Sequence, residues 1–177
     1  MCGLIGAINI DIHNYELNSI LDKLKHRGPD DSGHFHFKND SSSIFLGHNR
    51  LEILDINNGK QPMISSNGRY VVVYNGEIYN FSELRNKLES LGHIFVTDHS
   101  DTEILIHGYI EWGNKLPEYL NGMWSFGIYD KQRNTLFISR DRFGEKPLFY
   151  FLDQNKFIFS SELSGITQFK NIKFDLN

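Results

Sequence analysis

Met1-Cys2-Gly3-Leu4-Ile5-Gly6-Ala7-Ile8-Asn9-Ile10 opens the chain. From Gly3 onward it is a short apolar run with two glycines and no helix cap, which predicts a buried β-strand beginning at the terminus itself. Cys2, the single cysteine of the sequence, then stands at a strand end. If Met1 is removed, as is usual before a small second residue, Cys2 carries both a thiol and a free α-amine. A free thiol titrates near about 8.5 and an α-amine near roughly 7.7–8.0, so such a residue is a nucleophile with its own base. A lone cysteine at position 2 is more often incidental, and the rest of the chain decides between the two readings.

Outward from this strand, Leu17, Ile20, Leu21 and Leu24 recur at helical spacing and predict an amphipathic helix from about Glu16 to Lys25, stopped by Gly28-Pro29. Ser43 to His48 and Tyr70 to Tyr74 read as strands. The chain is then expected to turn at Asn75-Gly76 into a helix from Phe81 to Leu91, with Asn80 as cap and Gly92 as terminator. A strand from Ile94 to Thr97 precedes a capping signature, Ser100-Asp101-Thr102-Glu103, that opens a helix to about Trp112. Beyond Gly122 the pattern becomes strands at Met123–Tyr129, Thr135–Arg140, Pro147–Leu152 and Lys156–Ser160, separated by polar turns and readable as antiparallel hairpins. The near-continuous apolar run Leu148-Phe149-Tyr150-Phe151-Leu152 suggests a strand covered on both faces, as when two sheets pack together with helices outside.

The 177 residues fit one domain. A net charge of −4 with 40% hydrophobic and 23% charged residues describes a soluble, mildly acidic protein with no bias toward nucleic acid. One cysteine excludes an internal disulfide, no apolar run approaches a membrane span, and no basic leader precedes Asn9, so a cytoplasmic setting is expected. His34 and His36 lack accompanying acids or cysteines in a ligand pattern, which argues against a metal site.

Five further segments carry candidate chemistry: His26-Arg27-Gly28-Pro29-Asp30, Gly47-His48-Asn49-Arg50-Leu51, Asn75-Gly76-Glu77-Ile78-Tyr79-Asn80, Ser100-Asp101-Thr102-Glu103, and Arg140-Asp141-Arg142-Phe143-Gly144 with Lys146-Pro147-Leu148. Each has a plain alternative. Asn-Gly is a type I′ hairpin signal, Asp101 a first-turn acid favoured by a helix dipole, and Arg27 and Asp30 a loop-holding ion pair. Arg140, Asp141 and Lys146 read as structural or interfacial.

Together with the Met-Cys-Gly start, and in this order, these motifs resemble the N-terminal glutaminase domain of asparagine synthetases, a class II glutamine amidotransferase of the N-terminal-nucleophile hydrolase type. The resemblance covers nearly the whole chain. It implies an α+β fold, a four-layer αββα sandwich of two mainly antiparallel sheets with helices outside. It assigns Cys2 as nucleophile and the Asn75 amide with the Gly76 N–H as the oxyanion hole. Arg50 would take the α-carboxylate of L-glutamine and Asp101 its ammonium, with Leu51, Ile53, Leu54 and Glu77 lining the same pocket. A guanidinium fork matches a carboxylate in two bonds, and an oxyanion needs donors already in place where charge develops.

The resemblance also implies no metal or organic cofactor for glutamine hydrolysis. ATP and magnesium would belong to a downstream ATP-pyrophosphatase synthetase domain, which this sequence lacks and which would act in cis or as a partner chain. An ammonia donor to a sugar acid or sugar phosphate is the alternative, although relatives that aminate sugar phosphates typically place Trp where Leu51 stands.

Overall fold

A computed structural model describes residues 1–39, 42–51, 59–169 and 172. The first strand, β1 (Gly3–Ile8), sits in the middle of a five-stranded antiparallel sheet. Its neighbours are β3 (Ser43–Arg50) and β9 (Lys156–Ser160), with β2 (Asp31–Lys38) and β8 (Phe149–Asp153) at the edges. A second antiparallel sheet has the order β4 (Met63–Ile64), β5 (Tyr70–Ile78), β6 (Gly122–Asp130), β7 (Thr135–Arg140).

Alternation along the strands builds three apolar layers. Leu4, Leu46, Val71, Val73, Tyr129 and Phe159 meet between the sheets. On the outer face of the first sheet, Ile5, Ala7 and Phe45 meet Leu17, Ile20, Leu21 and Leu24, supplied by α1 (Asn14–Asp22) and the residues after it. On the outer face of the second, Tyr70, Val72 and Tyr74 pack against α2 (Phe81–Ser90) and α3 (Asp101–Trp112) through Leu84, Leu88, Ile104 and Leu105. The result is helix, sheet, sheet, helix, as the sequence reading expected. Two short helices, α4 (Leu116–Tyr119) and α5 (Leu163–Ile166), complete the order.

Four local expectations are corrected. Asn75 and Gly76 form no turn; they lie inside β5, paired with Ser125 and Trp124 of β6. Ile94 to Thr97 is not a strand, and Ile94 is 82% exposed. The Val96 and Thr97 N–H groups donate instead to the Glu103 carboxylate, both at 2.8 Å. This also dissolves the expected capping box, because Glu103 is spent on the preceding loop and Ser100 makes no side-chain cap. Burial pushes the Glu103 carboxyl up, but His107, the Thr97 hydroxyl and the two amides together bring it down to about 2. Finally, β8 is not covered on both faces. It is an outer edge, and its Tyr150 is 68% exposed.

Candidate active site

Cys2 directly precedes β1 and shares the parity of Leu4, so it belongs to the side of the strand that faces the second sheet. Three local features hold it. Arg27 donates from Nε to the Cys2 carbonyl at 3.1 Å, the Leu51 N–H reaches Sγ at 3.4 Å, and the thiol faces the Leu51 carbonyl at 3.7 Å. Arg27 is itself paired through Nη1 with Glu162 at 3.0 Å, so its carboxylate partner here is Glu162, from the far end of the chain. Gly28 explains its place in the motif: a Cβ there would run into the Asn49 carbonyl, so only glycine lets this loop lie against the end of β3.

Arg50, the last residue of β3, is buried. Two residues before it, His48 points between the sheets and joins them, its Nε2 2.9 Å from the Tyr74 carbonyl of β5. A carbonyl only accepts, so Nε2 carries the proton. Nδ1 is buried with no partner among the described residues, and burial holds this ring down to about 4, neutral at physiological pH.

Asn75 is 3% exposed on β5, and its Nδ2 is buried without a hydrogen-bond partner among the described residues. Leaving such a donor unpaired costs about 1–3 kcal/mol. Next to it, Gly76 has no room for a side chain: a Cβ would strike the Met123 carbonyl oxygen and stand 2.8 Å from the Trp124 Cα. Asp101 heads α3 and is tied to β5 through Oδ2, which accepts from the Tyr74 hydroxyl at 2.8 Å and the Ile78 N–H at 3.2 Å. Burial raises the Asp101 carboxyl above its usual range, with Glu77 adding to the rise and the two hydrogen bonds opposing it.

These groups line one cavity of about 190 Å³. Cys2, Arg50, Leu51, Asn75, Gly76, Glu77 and Asp101 share its wall, seven of the nine residues that the sequence reading assembled from distant segments. Ile53 and Leu54, the other two, lie outside the described residues.

The wall also holds residues the sequence reading did not place there. Gln61 accepts the Tyr74 N–H through Oε1 at 2.6 Å, and Lys146 enters from the loop between β7 and β8. Nothing in the spacing of Gln61 marked it. Lys146 was legible as part of a motif, but its position follows from how that loop is folded. Arg140 donates to the Lys146 and Gly144 carbonyls, while the Asp141 carboxylate accepts four backbone N–H groups, from Trp124, Phe143, Glu145 and Lys146. Arg140 and Asp141 hold this loop together, which fits the structural side of the structural-or-interfacial reading.

With this geometry in hand, the class is plain: the chain belongs to the glutamine amidotransferase domain family, which it matches over residues 1–177. Among curated proteins it is similar to asparagine synthetase [glutamine-hydrolyzing] 3 of Bacillus subtilis, at 39% identity over 98% of this chain and 28% of that protein. It is similar also to a putative asparagine synthetase [glutamine-hydrolyzing] 2 of Methanocaldococcus jannaschii, at 40% identity over 97% of this chain and 36% of the relative. The chain thus spans little more than a third of these relatives, or less. Among solved structures it resembles the glutamine phosphoribosylpyrophosphate amidotransferase of B. subtilis, with a TM-score of 0.72 over 96% of this chain and 44% of the other. At 20% identity that likeness concerns the fold alone.

Proposed function

We propose that this domain hydrolyses the side-chain amide of L-glutamine to glutamate and ammonia through a Cys2 thioester. The observation that carries the reading is the buried, unpartnered Asn75 Nδ2 on the wall of the cavity that also holds Cys2, Arg50 and Asp101. A buried donor without an acceptor is costly in the free protein and becomes useful when an oxyanion forms beside it.

In this reading Met1 is removed and the Cys2 α-amine takes the thiol proton. Sγ attacks the side-chain carbonyl carbon, and the Asn75 amide with the Gly76 N–H holds the tetrahedral oxyanion. The C–N bond then breaks, the ammonium of Cys2 returns its proton to the departing ammonia, and water hydrolyses the thioester to glutamate. Arg50 binds the α-carboxylate and Asp101 the α-ammonium, so the substrate is clamped at its zwitterionic end, with Leu51 and Glu77 beside it. The half-reaction consumes glutamine and water only and calls for no metal or organic cofactor.

The ammonia would serve a synthetase domain of the asparagine synthetase type, in cis or as a partner chain, and ATP with magnesium would be needed there. Identities near 40% to such enzymes over almost the whole chain support that type. No helix among the described residues is long and apolar enough to cross a membrane; a cytoplasmic setting is part of the same reading.

The test is glutamine turnover by the protein lacking Met1, verified by mass, with glutamate and ammonia both quantified. Cys2→Ala is expected to abolish turnover while preserving the fold. Full activity in that variant would sink the mechanism.

A further inference from the structure

Lys146 is 8% exposed, and its backbone is locked by the N–H to Asp141 Oδ2 at 2.9 Å and by the carbonyl accepting from Arg140 Nε at 2.8 Å. Its ammonium is treated differently. Among the described residues its single polar contact is a 3.5 Å approach to the Met1 sulfur. A thioether is a weak acceptor, so among the described residues this buried cation lacks the anion that such a charge normally requires. If Met1 is removed, even that contact goes.

Covalent geometry sets how near this charge is to the nucleophile. The Met1 sulfur is tethered to the Cys2 nitrogen by a path of about 6 Å at full extension, so Nζ lies within roughly 10 Å of that nitrogen. Both residues line the same cavity. Around Cys2 the other charges are accounted for. Arg27 is paired with Glu162, while Glu77 and His99 on the wall are exposed and screened by solvent. Tyr74 is neutral, its hydroxyl donated to Asp101. Under the glutaminase reading, on which this inference rests, Arg50 and Asp101 are matched by the two ends of the bound amino acid. Among the described residues, the buried charge left over is that of Lys146.

We propose that Lys146 is an electrostatic positioning residue for the glutaminase reaction, its ammonium favouring the negative charge that forms on Cys2 Sγ before attack. A cation beside a thiol promotes the thiolate, and a buried one does so with little screening. The residue acts through Cys2 and has no assigned contact with the substrate.

Because Cys2 is the only cysteine, its alkylation by iodoacetamide can be followed by mass without ambiguity. With Met1 removed, Lys146→Met and Lys146→Gln should react about 3- to 10-fold more slowly than wild type at pH 7, and Lys146→Arg within about 2-fold. The difference should close near pH 9.5, where a free thiol is ionised without help. In turnover, kcat should fall by a similar factor with KM for glutamine little changed. Wild-type alkylation rates in the Met and Gln variants, an Arg variant as slow as Met, or a gap that persists at pH 9.5 would each overturn the proposal. If Lys146→Met does not fold, Lys146→Gln carries the comparison. A wild-type protein that turns over no glutamine refutes the glutaminase reading while the alkylation series still judges Lys146; normal turnover with unchanged alkylation removes this inference alone.

Discussion

The Tyr74 hydroxyl donates to Asp101 Oδ2 at 2.8 Å, joining the strand that carries Asn75 and Gly76 to the first turn of α3. The Ile78 N–H reaches the same oxygen at 3.2 Å. One carboxylate therefore sets the distance between the proposed oxyanion donors and the proposed ammonium-binding residue, and a shift of α3 would disturb both.

Burial raises the Asp101 carboxyl and the Tyr74 bond opposes the rise. Glutamine binding through its ammonium needs the ionised form, so KM should climb as pH falls, beginning above the ordinary carboxylate range. Tyr74→Phe removes an opposing bond and should move that climb to higher pH. KM measured between pH 4.5 and 8 for both proteins decides the point; a Tyr74→Phe profile lying on or below the wild-type one contradicts it. The sign for stability is opposite to that of a salt-bridged acid. Because the folded value lies above the unfolded one, ionisation of Asp101 lowers stability as pH rises through this range, and Asp101→Asn should be at least as stable as wild type at pH 7.

Substituting Asn75→Ala should lower kcat by roughly 10²- to 10³-fold with modest change in KM, because the lost donor acts on charge present only in the transition state. Arg50→Lys should do the reverse, raising KM through loss of the two-bond match to a carboxylate. Steady-state kinetics separates the two, and an Asn75→Ala effect confined to KM would remove the oxyanion assignment.

Gly76→Ala should destabilise the fold by about 1–3 kcal/mol, since a methyl group there meets the Met123 carbonyl and the Trp124 backbone within a paired strand. Urea unfolding measures this. A variant as stable as wild type would show that the two strands can separate at this point.

His48 gives the fold an acid limit. Its ring is neutral and buried, with the folded value depressed to about 4 against 6.5. Stability from this group is complete above the unfolded value and is lost as pH falls toward the folded one, by an amount on the order of 3 kcal/mol between about pH 6.5 and 4. Unfolding free energies at pH 7 and pH 4.5 should differ less in His48→Gln than in wild type. Equal differences would place the acid sensitivity elsewhere.

The layers were legible from the sequence because burial imposes periodicity: Leu17, Ile20, Leu21 and Leu24 all enter the core they were expected to form, and β7 and β9 keep the predicted limits. The failures share a cause. Asn75-Gly76 carries the local signal of a turn, yet an available partner strand, β6, extends β5 through it. Ile94 and Val96 alternate like a strand but join neither sheet, and Glu103 accepts the Val96 and Thr97 N–H groups instead. Local propensity cannot report whether a second strand will be present.

The site divides along the same line. The sequence motifs and the family they resemble singled out Cys2, Arg50, Asn75, Gly76 and Asp101, and their chemistry suits the assignment, because a thiol, a guanidinium, an amide beside a glycine and a carboxylate are the groups that acyl transfer on an amino acid requires. Their convergence belongs to the tertiary structure. It brings a strand start, a strand end, a strand interior and a helix head to one cavity, leaves the Asn75 amide without a partner among the described residues, and sets Lys146 on the same wall as Cys2. Side-chain type is written in the chain, whereas burial, orientation and unmet hydrogen bonds arise only when segments distant in sequence pack together.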